Sequence, residues 1–110
     1  MRDAERDTGM AIAATILAQL GGKRFVAMTG AKNFIAWDKG VKFNLPKKPH
    51  YAKNAISIVT VTLMESDTYR MCFYKTVGKY LTETVKDLSG VYADQLQEIF
   101  TRETGLDTHL

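Results

Sequence analysis

The residues whose types and spacing point most clearly to a chemical role are eight cations between positions 23 and 53. They are Lys23, Arg24, Lys32, Lys39, Lys42, Lys47, Lys48 and Lys53. Asp38 is the only acidic residue in this basic segment, so eight cations against one carboxylate give it a charge of +7, whereas the whole chain carries +3. Positive charge at this density is what phosphate pairing requires, and it predicts a polyanionic partner.

Aromatic side chains are interleaved with these cations. They are Phe25, Phe34, Trp37, Phe43 and Tyr51, and His50 adds an imidazole beside Tyr51. Cations that pair with phosphates and rings that stack on bases form the mixture used for single-stranded or duplex nucleic acid. The sequence therefore predicts nucleic-acid contact through the eight cations, His50 and Tyr51. The alternative stays open that Phe25, Phe34 and Phe43 point into a core while the lysines coat the solvated face of a sheet.

Candidate catalytic residues are sparse. Cys72 could act as a nucleophile with His50 as its base, but no third group is placed to orient the histidine, and Cys72 lies mid-strand among large apolar residues. Buried cysteines usually behave as small hydrophobic residues. The chain has one cysteine and two histidines, so no zinc-ligand spacing can be assembled. We therefore expect no catalytic residue, no metal and no cofactor.

Two glycine positions flank the start of the basic segment and suggest a phosphate cradle. Gly21-Gly22 and Gly30 match the spacing of neither a P-loop nor a dinucleotide fingerprint. No helix is expected after them, and without one there is no N-terminus to face an anion. Helix-stop and turn roles are expected for these glycines.

The elements that must position these residues begin with a helix. Asp7 or Thr8 can cap it, and Ala13, Ile16, Leu17 and Leu20 form one stripe before Gly21-Gly22 ends it. Short β-type runs follow at 24–29, 33–38 and 41–45, the last two joined by an Asp38-Lys39-Gly40 turn. Prolines at both ends of 46–49 predict that residues 46–51 form an exposed basic loop.

The second half predicts three more strands and a closing helix. Residues 56–63 are rich in β-branched side chains and are expected at the centre of the sheet. Their alternation slips between Ile58 and Val59, which indicates a bulge or burial on both faces. Strands at 68–77 and 80–86 follow, with a turn over residues 64–67 before the first of them. A closing helix with Tyr92, Leu96, Ile99 and Phe100 on one stripe ends at Gly105, and Leu106 folds back on its last turn.

These elements define the expected fold and its limits. We predict one α+β domain over residues 1–110, in which an antiparallel sheet of five or six strands is flanked by an N-terminal and a C-terminal helix. Both helices should pack against the sheet, on one face or on opposite faces. No apolar run is long enough to cross a membrane, the residues before Met10 are net acidic, unlike a signal peptide, and the single cysteine favours a reducing cytoplasm.

Several segments together resemble a family of small uncharacterised proteins carried by bacteriophages, prophages and other mobile elements. The similarity covers about residues 12–107 and rests on LGGKRF, MTGAK, FNLP, DTY and VYADQL as they stand at 20–25, 28–32, 43–46, 67–69 and 91–96. The resemblance implies a small accessory binder in the host cytoplasm that acts on nucleic acid or on host machinery. A second function therefore stays open, that of a protein-binding, anti-CRISPR-like inhibitor docked on an acidic patch of a host protein. A DNA mimic is disfavoured because the chain is net basic.

Overall fold

Five antiparallel strands form one sheet in chain order, β1-β2-β3-β4-β5. A computed structural model describes residues 2–48, 50–79 and 81–108, with side chains described from residue 11 onward. The strands are β1 Lys32–Trp37, β2 Gly40–Asn44, β3 Ile56–Leu63, β4 Tyr69–Thr76 and β5 Thr82–Val91. The helices are α1 Arg2–Leu20, α2 Gly22–Thr29 and α3 Leu96–Thr104, with short 3₁₀ turns at Lys53–Ala55 and Ala93–Gln95. The predicted α+β class is confirmed, with five strands.

The β-branched strand lies at the centre of the sheet, as expected. Val59 of β3 is paired with Phe43 on one side and Phe73 on the other, and all three side chains are fully buried. The pairing of β3 with β4 shifts between Ile56 and Ile58, so the expected irregularity is present two residues earlier than the sequence indicated. Alternation along the strands turns this row of side chains towards the helices.

Residues 24–29, expected to be a strand, are instead the body of α2. Phe25 and Thr29 are its buried residues, and their spacing of four places both on one helix face. The prediction was wrong because the β-type residues of this run masked a weak helical period in so short a segment. The expectation that no helix follows Gly21-Gly22 was wrong for the same reason, since α2 begins at Gly22. Gly30 ends the helix with φ of 72°, a left-handed conformation, and its N–H donates to the Val26 carbonyl at 3.0 Å.

The first helix begins earlier than expected. The structure starts α1 at Arg2, so Asp7 and Thr8 lie within the helix and do not cap it. Residues 2–8 contain no glycine or proline, and arginine and glutamate are good helix formers, so nothing in that stretch stops the helix.

An aromatic cluster joins the helices to the sheet. The Phe43 ring of β2 lies 5.4 Å from Phe25 of α2 and 6.2 Å from Phe100 of α3, between ring centroids. Phe25 and Phe100 are themselves 5.1 Å apart. Ile16 of α1 is fully buried in the same core. All three helices therefore pack on one face of the sheet, which excludes the opposite-face arrangement.

The other face of the sheet carries a mixed row of side chains. Ile35, Lys42, Thr60, Cys72 and Asp87 follow one another across the five strands. In the described part of the chain no helix packs against this side, which we call the open face. The hairpin of β1 and β2 thus has one open face, on which Lys42 is half-buried.

The structure differs from the prediction in β5 and in the residues just before the final helix. Strand β5 runs to Val91, so Ser89 and Gly90 belong to the strand, whereas its expected first residue, Tyr80, lies outside the described residues. Tyr92 is 61% exposed and leaves the apolar stripe, because it precedes the 3₁₀ turn and its N–H donates to the Gln95 side chain. The rest of the stripe is buried, and the expected stop at Gly105 is confirmed by its φ of 77°.

Candidate nucleic-acid interface

A concavity of about 1090 Å³ lies at one end of the sheet. We call it the loop-end cleft. Its basic-segment residues are Lys47, Lys48, His50, Tyr51 and Lys53, and the strands contribute Ser57, Lys75, Thr76 and Glu83. Antiparallel pairing brings the start of β3, the end of β4 and the start of β5 together here, since Lys75 is paired with both Ile56 and Glu83.

The loop that carries Lys47 and Lys48 is anchored to the end of α2. The Tyr51 hydroxyl donates to the Thr29 carbonyl at 2.9 Å. A Cβ at Gly30 would lie 3.0 Å from the Pro46 ring and 3.1 Å from the Tyr51 hydroxyl, so the loop packs closely on this glycine. Tyr51 is half-buried and holds the loop in place, which leaves its neighbours Lys47, Lys48 and His50 exposed.

Lys53 also has a structural role. Its side chain crosses Gly105, where a Cβ would lie 3.1 Å from the Lys53 Cγ, and its Nζ donates to the Arg102 carbonyl at 3.3 Å. A cation at the C-terminal end of a helix is favoured by the carbonyl dipoles there. Lys53 therefore stabilises the end of α3 and closes one side of the cleft.

The charged and hydroxyl groups of the cleft suit an anion. Its four lysines and one glutamate give a formal charge of +3 with His50 neutral, and Lys75 lies 3.6 Å from Glu83. The Ser57 and Thr76 hydroxyls are 2.9 Å apart, and Ser57 is buried. Ammonium groups beside hydroxyl donors are the chemistry that holds phosphate oxygens.

The rim of the cleft contains residues in the left-handed region. His50, Asn54 and Ala55 have φ of 62°, 56° and 59°. Residues with a Cβ avoid this region, at a cost of roughly 1–2 kcal/mol each, and asparagine tolerates it best. Strained backbone conformations of this kind persist where the surrounding structure holds them in place, often at binding sites.

The structure separates the other predicted site residues from the cleft walls. Lys32 is exposed at the same end of the sheet, since it is paired with Asn44, the last residue of β2. Lys39 lies at the opposite end, where its carbonyl accepts from the Leu63 N–H at 2.7 Å. Lys42 is half-buried on the open face. The remaining pair, Lys23 and Arg24, lines a separate hollow of about 740 Å³ with Gly21 and Gln97.

Two of the three phenylalanines of the basic segment belong to the core. Phe25 and Phe43 are fully buried, and the Phe34 ring packs 5.4 Å from Phe43. The interpretation that they point inward is confirmed for Phe25 and Phe43, whereas Phe34 is 37% exposed. Trp37 is half-buried beside Gly40, away from the cleft. Of the five interleaved rings, only Tyr51 lines the cleft, so the cleft is a site for charge pairing more than for base stacking.

The strand residues of the cleft were not predicted. Ser57, Lys75 and Thr76 lie outside the basic segment, and no local pattern distinguishes them from other strand residues. The one available signal was topological. Pairing the predicted strands 56–63 and 68–77 antiparallel places the end of the second beside the start of the first, next to the basic loop.

The Cys72 thiol has a carboxylate partner in place of His50. It is buried, as expected, but its surroundings are polar because it faces the open side of the sheet. Its Sγ donates to Asp87 Oδ1 at 3.4 Å, and Arg70 donates to both carboxylate oxygens at 2.9 and 2.6 Å. Hydrogen bonds from Arg70 and then from the thiol lower the pKa of Asp87 to about 2.

Comparisons with known proteins give no relative. No protein-family model matches the chain, and neither a curated protein nor a solved structure matches it. In the described residues no helix is both long and apolar enough to cross a membrane. The same residues contain no group of three His, Cys, Asp or Glu side chains arranged as metal ligands.

Proposed function

We propose that this protein is a non-enzymatic module that binds nucleic acid by pairing the phosphate backbone with the loop-end cleft. The observation that carries the proposal is the convergence of exposed Lys47, Lys48 and His50 on a concave surface of charge +3. A concave cationic surface concentrates a polyanion and exchanges its counterions for lysines. The Ser57 and Thr76 hydroxyls bond each other, so the pair leaves one hydroxyl hydrogen to act as a neutral donor in the cleft.

The recognition is expected to be independent of sequence. Lysine is a point charge without the bidentate geometry that reads base edges, and contacts to phosphate position a chain without specifying bases. Affinity should therefore fall with rising salt, with a log–log slope of roughly −0.7 to −0.9 for each phosphate contact. Lys47 and Lys48 together should account for about 1.4 to 1.8 units of that slope.

Fluorescence anisotropy with labelled single-stranded and duplex DNA and RNA tests the proposal. We expect Lys47→Glu/Lys48→Glu to weaken binding at least tenfold at low salt and to flatten the salt dependence. Lys23→Glu/Arg24→Glu is the matched control, because it reverses two adjacent exposed charges away from the cleft. Equal losses of affinity in both variants would indicate that binding depends on net charge and not on the cleft. Absence of wild-type binding at low salt would refute the proposal.

A protein partner is the second candidate, and the β4–β5 connection favours it. Val77 and Leu81 are 47% and 67% exposed there, and the Val77 N–H donates to the Leu81 carbonyl at 3.0 Å. Exposed apolar side chains beside cations suit a protein surface with an acidic rim. In this role the cleft would dock on an acidic patch of a host protein as an inhibitor. If this role is correct, the wild type should bind no nucleic acid. Leu81→Ser should then abolish its capture of a host protein.

A further inference from the structure

The two edge strands of the sheet differ in how well they are protected against pairing with a strand of another chain. Edge strand β5 carries Glu83, Lys86 and Asp87, and its register with β4 shifts twice. Charges and bulges of this kind prevent an edge from pairing with another chain. Edge strand β1 has an irregularity of its own, because its register with β2 shifts between Lys32 and Ile35 and Asn33 has φ of 57°. In contrast to β5, it carries no charge from Asn33 to Trp37, and Ile35 is 56% exposed. The β1 edge is therefore the one able to accept a further strand.

The turn after β1 fixes which backbone groups face outward. Asp38 and Lys39 form a two-residue turn between the paired residues Trp37 and Gly40. Such a turn is closed by a hydrogen bond between its flanking residues, so Trp37 and, two residues back, Ile35 direct their N–H and C=O groups to β2. The alternation leaves the N–H and C=O groups of Ala36 and Phe34 directed away from β2.

We infer that two copies of this chain pair antiparallel through their β1 edges, with the two-fold axis at Ile35. In this register Ile35 lies opposite Ile35 of the second chain, and Phe34 lies opposite Ala36 of the second chain. Those two residues carry the outward groups, so they exchange about four hydrogen bonds across the axis. The two five-stranded sheets become one continuous sheet.

The side chains fit the same register. Residues directly opposite each other on paired strands have their side chains on the same side of the sheet. Phe34 of one chain and Ala36 of the other therefore meet on the helix side, and the two Ile35 side chains meet on the open face. Residues 33–37 carry no charge, so like charges do not face each other along this stretch. Centring β5 on itself would instead oppose Lys86 to Lys86 or Asp87 to Asp87, which is destabilising.

The occupant is a second copy because the edge is complementary to itself in hydrogen bonding and in its apolar side chains, Phe34, Ile35 and Ala36. A six-residue edge strand buries less than the roughly 1,200 Å² of a stable interface. The dimer should therefore be reversible and depend on concentration. Because the strands are antiparallel, the two loop-end clefts point in opposite directions, and the pairing does not depend on what the clefts bind.

Cysteine cross-linking tests the register. In a Cys72→Ala background, Ile35→Cys places two thiols across the axis with Cβ atoms about 4.5–5.5 Å apart, near disulfide geometry. We expect a covalent dimer after mild oxidation, whereas Thr84→Cys, exposed on β5, stays monomeric. Sedimentation of the wild type should show dimer increasing with concentration, and Ile35→Glu should weaken it at least tenfold with unchanged circular dichroism. A wild type that stays monomeric at millimolar concentration, or equal cross-linking from both positions, would overturn the inference.

Discussion

Replacing Phe43 by alanine distinguishes a core aromatic cluster from a base-stacking surface. The ring is fully buried and lies within 5.4 Å of the Phe25 and Phe34 rings and 6.2 Å of Phe100. Truncating a buried phenylalanine costs about 3–5 kcal/mol, and each aromatic pair is worth about 0.5–1.5 kcal/mol beyond its buried area. We therefore expect the free energy of unfolding to fall by about 4 kcal/mol.

Urea unfolding followed by far-UV circular dichroism measures this loss. With an m-value of about 2 kcal/mol/M, a loss of about 4 kcal/mol moves the midpoint by about 2 M. Phe34→Ala is the matched control, since that ring is 37% exposed and its loss should cost about 1 kcal/mol. A Phe43→Ala protein of nearly wild-type stability that binds nucleic acid poorly would refute the core assignment and restore Phe43 as a stacking residue.

Three further changes test separate parts of the structure. Gly30→Ala should cost roughly 1–2 kcal/mol of unfolding free energy, because φ is 72° and the new Cβ would meet Pro46 at 3.0 Å; unchanged denaturant midpoints would contradict this. The pKa of Asp87 is lowered to about 2, so its pairing with Arg70 stabilises the fold above about pH 4, and this contribution disappears as pH falls towards 2. Asp87→Asn should remove that part of the acid dependence, and high salt should reduce it in the wild type; identical acid profiles would count against the pair. Cys72→Ala should leave binding intact, whereas complete loss in a folded variant would revive a nucleophilic role.

Much of the sheet could be predicted from the sequence because its strands follow local rules. The alternation in 41–45, the β-branched run at 56–63 and the Asp38-Lys39-Gly40 turn each determine a strand or its end without distant information. The final helix followed from its apolar spacing and from Gly105. Burial of Phe25 and Phe43 agreed with the inward-facing alternative stated for the basic segment.

The rest depended on tertiary packing. An eight-residue helix such as α2 is too short to form from propensity alone, and it is stabilised by burying Phe25 against Phe43 and Phe100. The cleft joins Lys47 and Lys48 to Lys75, which is distant in sequence, and only the order of strands brings them together. Net charge counted along the chain could not separate these lysines from Lys39 at the other end of the sheet.

Chemical-shift mapping tests the central claim, nucleic-acid binding in the loop-end cleft, most directly. A short single-stranded oligonucleotide would be titrated into ¹⁵N-labelled protein at low salt, and the backbone amide shifts followed by residue. We expect the largest changes at the residues that line the cleft, in 47–57, 75–76 and 83–85, and little change at Lys39 or in the Lys23–Arg24 hollow. Absence of shifts, or shifts confined to residues outside the cleft, would contradict the account.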